Sequence, residues 1–235
     1  MKIAIVTAGS GEQSALVVQQ VADALIVADG AVNVNVVRLR DYVQDLASAL
    51  TALAPERLRE VFEEVSVADA VVFHTSIMNA SFAGLLKVFL DVLPEGTLRG
   101  APILMVGTGG TQRHSLALDY ALRPVFTYLH AEPIPTTVFV ATSDWGSGGD
   151  GVRSVGERIT AAAHELIAAA RAQSLDSEGS VPGAGRSHGA SPESQDDVAA
   201  SASATPVARP RARLEAASQM GSFDVAHITD RLRDL

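Results

Sequence analysis

The chain has 235 residues, 47% of them hydrophobic and 19% charged, with a net charge of −9 and no cysteine. The lack of cysteine excludes disulfides, thiolate metal sites and a cysteine nucleophile, and an acidic chain without a basic tract argues against nucleic acid as a partner. No apolar run approaches the ~18 residues of a membrane helix, and the apolar start at Ile3 to Val6 is too short for a signal peptide, so a cytoplasmic protein is expected.

Lys2 to Thr7 reads as the first, central strand, followed by a turn from Ala8 to Ser14 and a helix from Ala15 to Ala28. That helix is expected to turn Leu16, Val17, Val21, Ala24 and Leu25 to the sheet. Ser10 and Gln13 fit a capping box, S-x-x-Q, at its start. A strand, a small-residue loop and a helix N-terminus bring free N–H groups, hydroxyls and the positive dipole end together, which is an anion site; a simple N-cap is the other reading. The same loop nearly matches the dinucleotide fingerprint, but Ser14 stands where glycine is needed. The second strand, near Asn33 to Leu39, ends in Arg38 and Arg40 rather than an acid.

Arg40 to Ala54 reads as helical or irregular, Glu56 to Ser66 as a helix, and Asp69 to Thr75 as the third strand. Ser76-Ile77-Met78-Asn79-Ala80 is read as the loop beyond it, and Ser81 to Leu93 as a helix apolar nearly all round. Such a helix is buried on both sides, by a second subunit or by its own chain's loops. Ala101 to Val106 is a short apolar run suited to a strand buried on both faces. Gly107-Thr108-Gly109-Gly110-Thr111-Gln112-Arg113-His114 then lies between that strand and a helix from Ser115 to Leu129. Its glycines let backbone N–H groups approach a flat or anionic ligand, unless the loop is a plain Gly-rich turn. Pro124 lacks an N–H, so the carbonyl of Tyr120 loses its helical partner and the helix must kink, bulge to a π turn or recruit water.

Pro133 to Ala141 is the fifth strand, with Pro133 and Pro135 fitting an edge position. A Gly-rich loop, Thr142 to Gly151, leads to a last helix, Val152 to Gln173. Five strands alternating with helices predict a flavodoxin-like doubly wound α/β sheet of order 2-1-3-4-5. Three loops then share its carboxyl edge, where open α/β sheets bind ligands. From Ser174 to Arg213 the composition turns to Ser, Gly, Pro, Ala and acids, which cannot offset its ordering entropy, so residues 174–213 are expected to be a disordered linker. Within it Gly185-Arg186-Ser187-His188-Gly189 is a formal G-x-S-x-G, without the strand and helix a nucleophile elbow needs. Residues 214–235 carry Val225, Ile228, Leu232 and Leu235 on one face of a short amphipathic helix.

Together the segments Thr75 to Lys87, Gly107 to Pro124 and Ala141 to Gly146 resemble the NADPH-dependent FMN reductase family, especially the branch that supplies reduced flavin to two-component monooxygenases. The resemblance covers residues 1–173, which would form the reductase domain. It implies FMN and NAD(P)H as cofactor and substrate, with a homodimer or homotetramer and a flavin-dependent monooxygenase as partners. It implies that Ser10, Glu12, Gln13 and Ser14 surround the FMN phosphate. Ser76, Ile77, Met78 and Asn79 would follow the ring and ribityl chain, and Thr108, Gly109, Gly110, Thr111 and His114 the ring's far edge. The first loop departs from the family in carrying Gly11 and Glu12, since a carboxylate beside a phosphate repels it unless it points to solvent. Two readings compete with the reductase: a flavodoxin-like FMN electron carrier without pyridine-nucleotide activity, and a ligand-binding or partner-docking protein that has lost catalysis, for which Glu12 is the argument.

Overall fold

The computed structural model of the protein describes residues 1–145 and 154–179. Strand β1 (Lys2–Ala8) lies between β2 (Asn33–Arg38) and β3 (Ala70–Met78), all parallel. The two-residue β4 (Ser81–Phe82) pairs antiparallel with the end of β3. Strands β5 (Pro102–Gly109) and β6 (Glu132–Ala141) complete the sheet, parallel to β3. Among the described residues the order is β2-β1-β3-β5-β6, with β4 off this path. Setting β4 aside, this is the flavodoxin-like order the sequence predicts.

The central strands read as continuous apolar runs because helices cover both faces. Alternate residues divide between two cores: Ile3 and Ile5 face one, Ala4 and Val6 the other. The first core is closed by α1 (Gly11–Ala28), through Val17, Val21 and Leu25, and by the last helix. The second is closed by α2 (Val43–Ala49), α3 (Glu56–Ser66), α4 (Gly84–Val92) and α5 (Arg123–Tyr128). In α3 the buried Leu58, Val61, Phe62 and Val65 recur at the three- and four-residue spacing of one helical face. The last helix, α6, runs Val155–Gly179, past the Gln173 expected.

Local expectations change at several points. Helix α1 buries Val18 and Ala22 rather than Leu16, which is 53% exposed. Ser10 is its N-cap residue, but its side chain makes no capping hydrogen bond, so the capping box does not form. Strand β3 runs through Ser76, Ile77 and Met78, which are therefore not loop. Asn79 and Ala80, at φ 51° and 63°, turn the chain back into β4, so α4 starts at Gly84 rather than Ser81. A two-residue strand gives too short an alternation to be read from sequence. The apolar α4 is largely covered by its own chain: Leu86, Phe89 and Leu90 are buried, and Leu85, Val88 and Val92 pack against the same core.

The expected disturbance before Pro124 is present as a π turn at Leu118–Leu122, in which the N–H of Arg123 donates to the carbonyl of Leu118. Pro124 then sits in the first turn of α5, where a missing N–H costs nothing. Gly146 to Gly151, residues 180–213 of the expected linker with its 185–189 motif, and the helix expected within residues 214–235 lie outside the described residues.

Candidate functional site

The carboxyl ends of β1, β3 and β5 are joined by hydroxyl groups. Ser14, buried in the first turn of α1, places its Oγ 3.1 Å from Thr108 Oγ1 and 3.3 Å from Ser76 Oγ. Ser76 and Thr108 are 3.4 Å apart, and the N–H of Ser10 donates to Ser76 Oγ at 3.2 Å. Residues from three segments thus form one polar cluster beside a helix N-terminus, whose amides and dipole favour an anion. Glu12 and Gln13 are exposed on the outside of that turn. Glu12 therefore lies with the solvent-facing residues, and a carboxylate in the first turn also suits the helix dipole.

Beneath the first loop sits His74, which is 1% exposed. Its Nδ1 lies 2.7 Å from Thr7 Oγ1, and that hydroxyl accepts the N–H of Gly9 at 3.2 Å. Burial pushes the His74 pKa down to about 4, so the ring is neutral. Gly9 is required by close approach: a Cβ there would lie 2.2 Å from His74 Cε1 and 2.8 Å from Ser14 Cβ. The sequence points only to His114 among the histidines, and this contact is not visible in it. The pairing of Thr7 with His74 across β1 and β3 is the signal that would have found it, and it needs the sheet register.

The far side of the edge is built by β5 and the turn after it. Strand β5 runs through Gly107, Thr108 and Gly109, expected as loop, because their backbones stay in register with β6 up to the pair Gly109 and Ala141. A Cβ on Gly109 would come 2.8 Å from Phe139 Cζ and 3.8 Å from Ile77 Cβ, so this glycine is needed for packing of the sheet end as well as for access. A Cβ on Gly110 would meet nothing within 4 Å, leaving open space above the edge. Thr111 caps the short 3-10 turn Gln112–His114, accepting the N–H of Arg113. His114 is half-buried at the end of that turn, while Met78 and Asn79 are exposed at the rim and Ile77 is buried.

A carboxylate not singled out from sequence ties this rim together. Asp144, in the turn Thr142–Trp145, accepts the N–H of Ala141 at 3.0 Å, the amide of Gln112 at 2.8 Å and Nη2 of Arg158 at 2.9 Å. Arg158 in turn donates to the carbonyl of Phe139 at 2.6 Å. Burial alone would raise the Asp144 pKa, but the Ala141 amide and Arg158 outweigh it and hold the carboxyl below its ordinary value. Trp145 is 36% exposed at the end of the same turn.

Among the described residues no group of His, Asp and Glu is placed to hold a metal ion. The hydroxyl cluster suits a phosphate and the open space at Gly110 suits a planar ring, so the donor set fits FMN.

Known proteins are similar to this chain in sequence and fold. The model of the NADPH-dependent FMN reductase family matches residues 1–146. The chain is similar to an FMN reductase (NADPH) of Pseudomonas aeruginosa, 34% identical over 54% of this chain and 67% of that one. It is 31% identical to an NADH-dependent FMN reductase of Pseudomonas putida, over 57% of this chain and 72% of the other. The crystal structure of an oxidoreductase from Corynebacterium diphtheriae superposes with a TM-score of 0.68 and 34% identity, covering 73% of this chain and 97% of that one. With the sheet order, the hydroxyl cluster and the glycine edge in place, these matches establish that the chain belongs to the NADPH-dependent FMN reductase family.

Proposed function

We propose that this chain transfers hydride from NAD(P)H to FMN held across its three edge loops, and passes the reduced flavin to a partner flavin-dependent monooxygenase. As a member of its family the chain is an oxidoreductase that uses FMN and NAD(P)H. The observation that carries the site assignment is the cluster of Ser14, Ser76 and Thr108, which gathers three loops at the mouth of α1.

FMN supplies the hydride acceptor when bound; the chain's part is to bind and orient. The hydroxyls of Ser10, Ser14, Ser76 and Thr108 and the first amides of α1 would receive the phosphate, with Gln13 and Glu12 at its outer side. Ile77, Met78 and Asn79 would follow the ribityl chain and ring. Gly109, Gly110, Thr111 and His114 would border the ring's far edge, kept open at Gly110. No charged side chain belongs to the hydroxyl cluster, which suits flavin that exchanges rather than flavin held permanently.

A homodimer or homotetramer is part of this proposal. Leu116 just before the π turn, Tyr120 within it and Tyr128 at the end of α5 are 59%, 79% and 83% exposed, large side chains that a second copy would cover.

The phosphate assignment is tested with Ser14→Asp. A carboxylate at the cluster's centre should raise the FMN dissociation constant about tenfold or more in a flavin-fluorescence titration. Unchanged affinity in the folded variant would remove this cluster from the phosphate.

A further inference from the structure

Arg38 and Arg40 take no part in the hydroxyl cluster, yet both line a cavity between the first loop, α1 and the end of β2. The cavity measures about 80 Å³ and brings Gly9, Gly11, Ser14, Gln19, Arg38 and Arg40 together. Arg38 ends β2 and pairs in register with Thr7 of β1, so it stands at the sheet's ligand edge. Among the described residues Arg38 forms no ion pair, and Arg40 has Asp41 at 4.0 Å, with both side chains more than half exposed. An exposed pair at that distance neutralises little. Two guanidinium groups thus face a cavity whose loop supplies amides and hydroxyls but no cation.

That combination fits a phosphomonoester. Such a group carries close to two negative charges at neutral pH, and a guanidinium fork matches its oxygens in pairs. NADPH carries a phosphomonoester on its adenosine ribose where NADH has a hydroxyl, and FMN carries one where riboflavin has a hydroxyl. We propose that Arg38 and Arg40, with Gln19, form a phosphomonoester site on the β2 side of the first loop, reading the 2′-phosphate of NADPH. Ser14 borders both the cavity and the hydroxyl cluster, but the cluster's Ser76 and Thr108 stand on β3 and β5, while Arg38 stands at the end of β2, so the arginine side of the loop is left for the nucleotide. The assignment to NADPH rests on the reductase reading above.

The test uses the full chain and the single variants Arg38→Gln and Arg40→Gln. Two measurements need no turnover: the thermal shift given by 2′,5′-ADP against that given by 5′-AMP, and fluorescence titrations of FMN against riboflavin. The third is the KM for NADPH against that for NADH. At least one variant should lose the 2′,5′-ADP shift and raise the KM for NADPH about tenfold, with the KM for NADH unchanged. If instead the preference for FMN over riboflavin falls about tenfold, the phosphomonoester site stands and its ligand is the flavin phosphate. If both folded variants keep the 2′,5′-ADP shift and both preferences, the proposal is overturned. A wild-type chain that oxidises neither nucleotide would remove the reductase reading, while the two binding measurements would still decide the site.

Discussion

Gly9, His74 and Thr7 show how much of the site depends on one buried contact. The imidazole fills the space a Cβ at residue 9 would need, and the Thr7 hydroxyl links ring and loop. Because burial holds the His74 pKa at about 4 while an unfolded histidine titrates at its ordinary 6.5, the unfolded chain binds the extra proton first as pH falls. The stability from the neutral ring is complete above pH 6.5 and is lost as pH drops toward 4, by up to about 3 kcal/mol. Denaturant unfolding of wild type and His74→Phe at pH 7.5 and pH 4.5 checks this. The wild type should lose more stability between the two pH values, and equal losses would contradict it. The serines and glycines of the site were legible from type and position, as candidates for a phosphate and a flat ligand. His74 was not, because a lone histidine in an apolar strand reveals its neighbour only through the register of β1 against β3.

Among the elements, the β6 turn and the glycine loop act as one unit through Asp144. Its carboxylate joins Gln112, Ala141 and Arg158, which come from three segments. Asp144→Ala leaves the guanidinium of Arg158 without its carboxylate partner, so it should cost about 1–3 kcal/mol in stability and raise the FMN dissociation constant several-fold. A double-mutant cycle with Gln112→Ala reads the coupling, expected at about 0.5 kcal/mol or more. Additive effects would show that the two loops are held independently. The carboxyl is held below its ordinary pKa, so this clasp is complete above the normal carboxylate range and is lost only as pH falls through the lowered value. A break in the helical ladder before Pro124 was readable from a single residue, since proline removes one donor whatever surrounds it, but that it takes the form of a π turn at Leu118–Leu122 was one of three outcomes the sequence left open. The hairpin of β3 and β4 was not, because two residues at Ser81–Phe82 give no periodicity.

At the scale of the molecule, the strand order brings three chemically different loops to one edge. The order itself was legible, because alternating apolar runs and amphipathic helices leave few other arrangements. The cavity beside β2 was not, since it depends on the space between α1 and the end of that strand. The site assignments share one premise, that this edge holds FMN while it receives hydride. Steady-state oxidation of NADPH and of NADH, measured with and without added FMN, tests that premise most directly when wild type is run beside Gly110→Val. A Cβ at residue 110 meets nothing within 4 Å, so the valine side chain extends into space that is open in the fold. The wild type should oxidise at least one nucleotide only when FMN is present, and the folded variant should lose most of that rate. A chain that binds FMN yet oxidises neither nucleotide, or a Gly110→Val variant with full activity, would contradict the account.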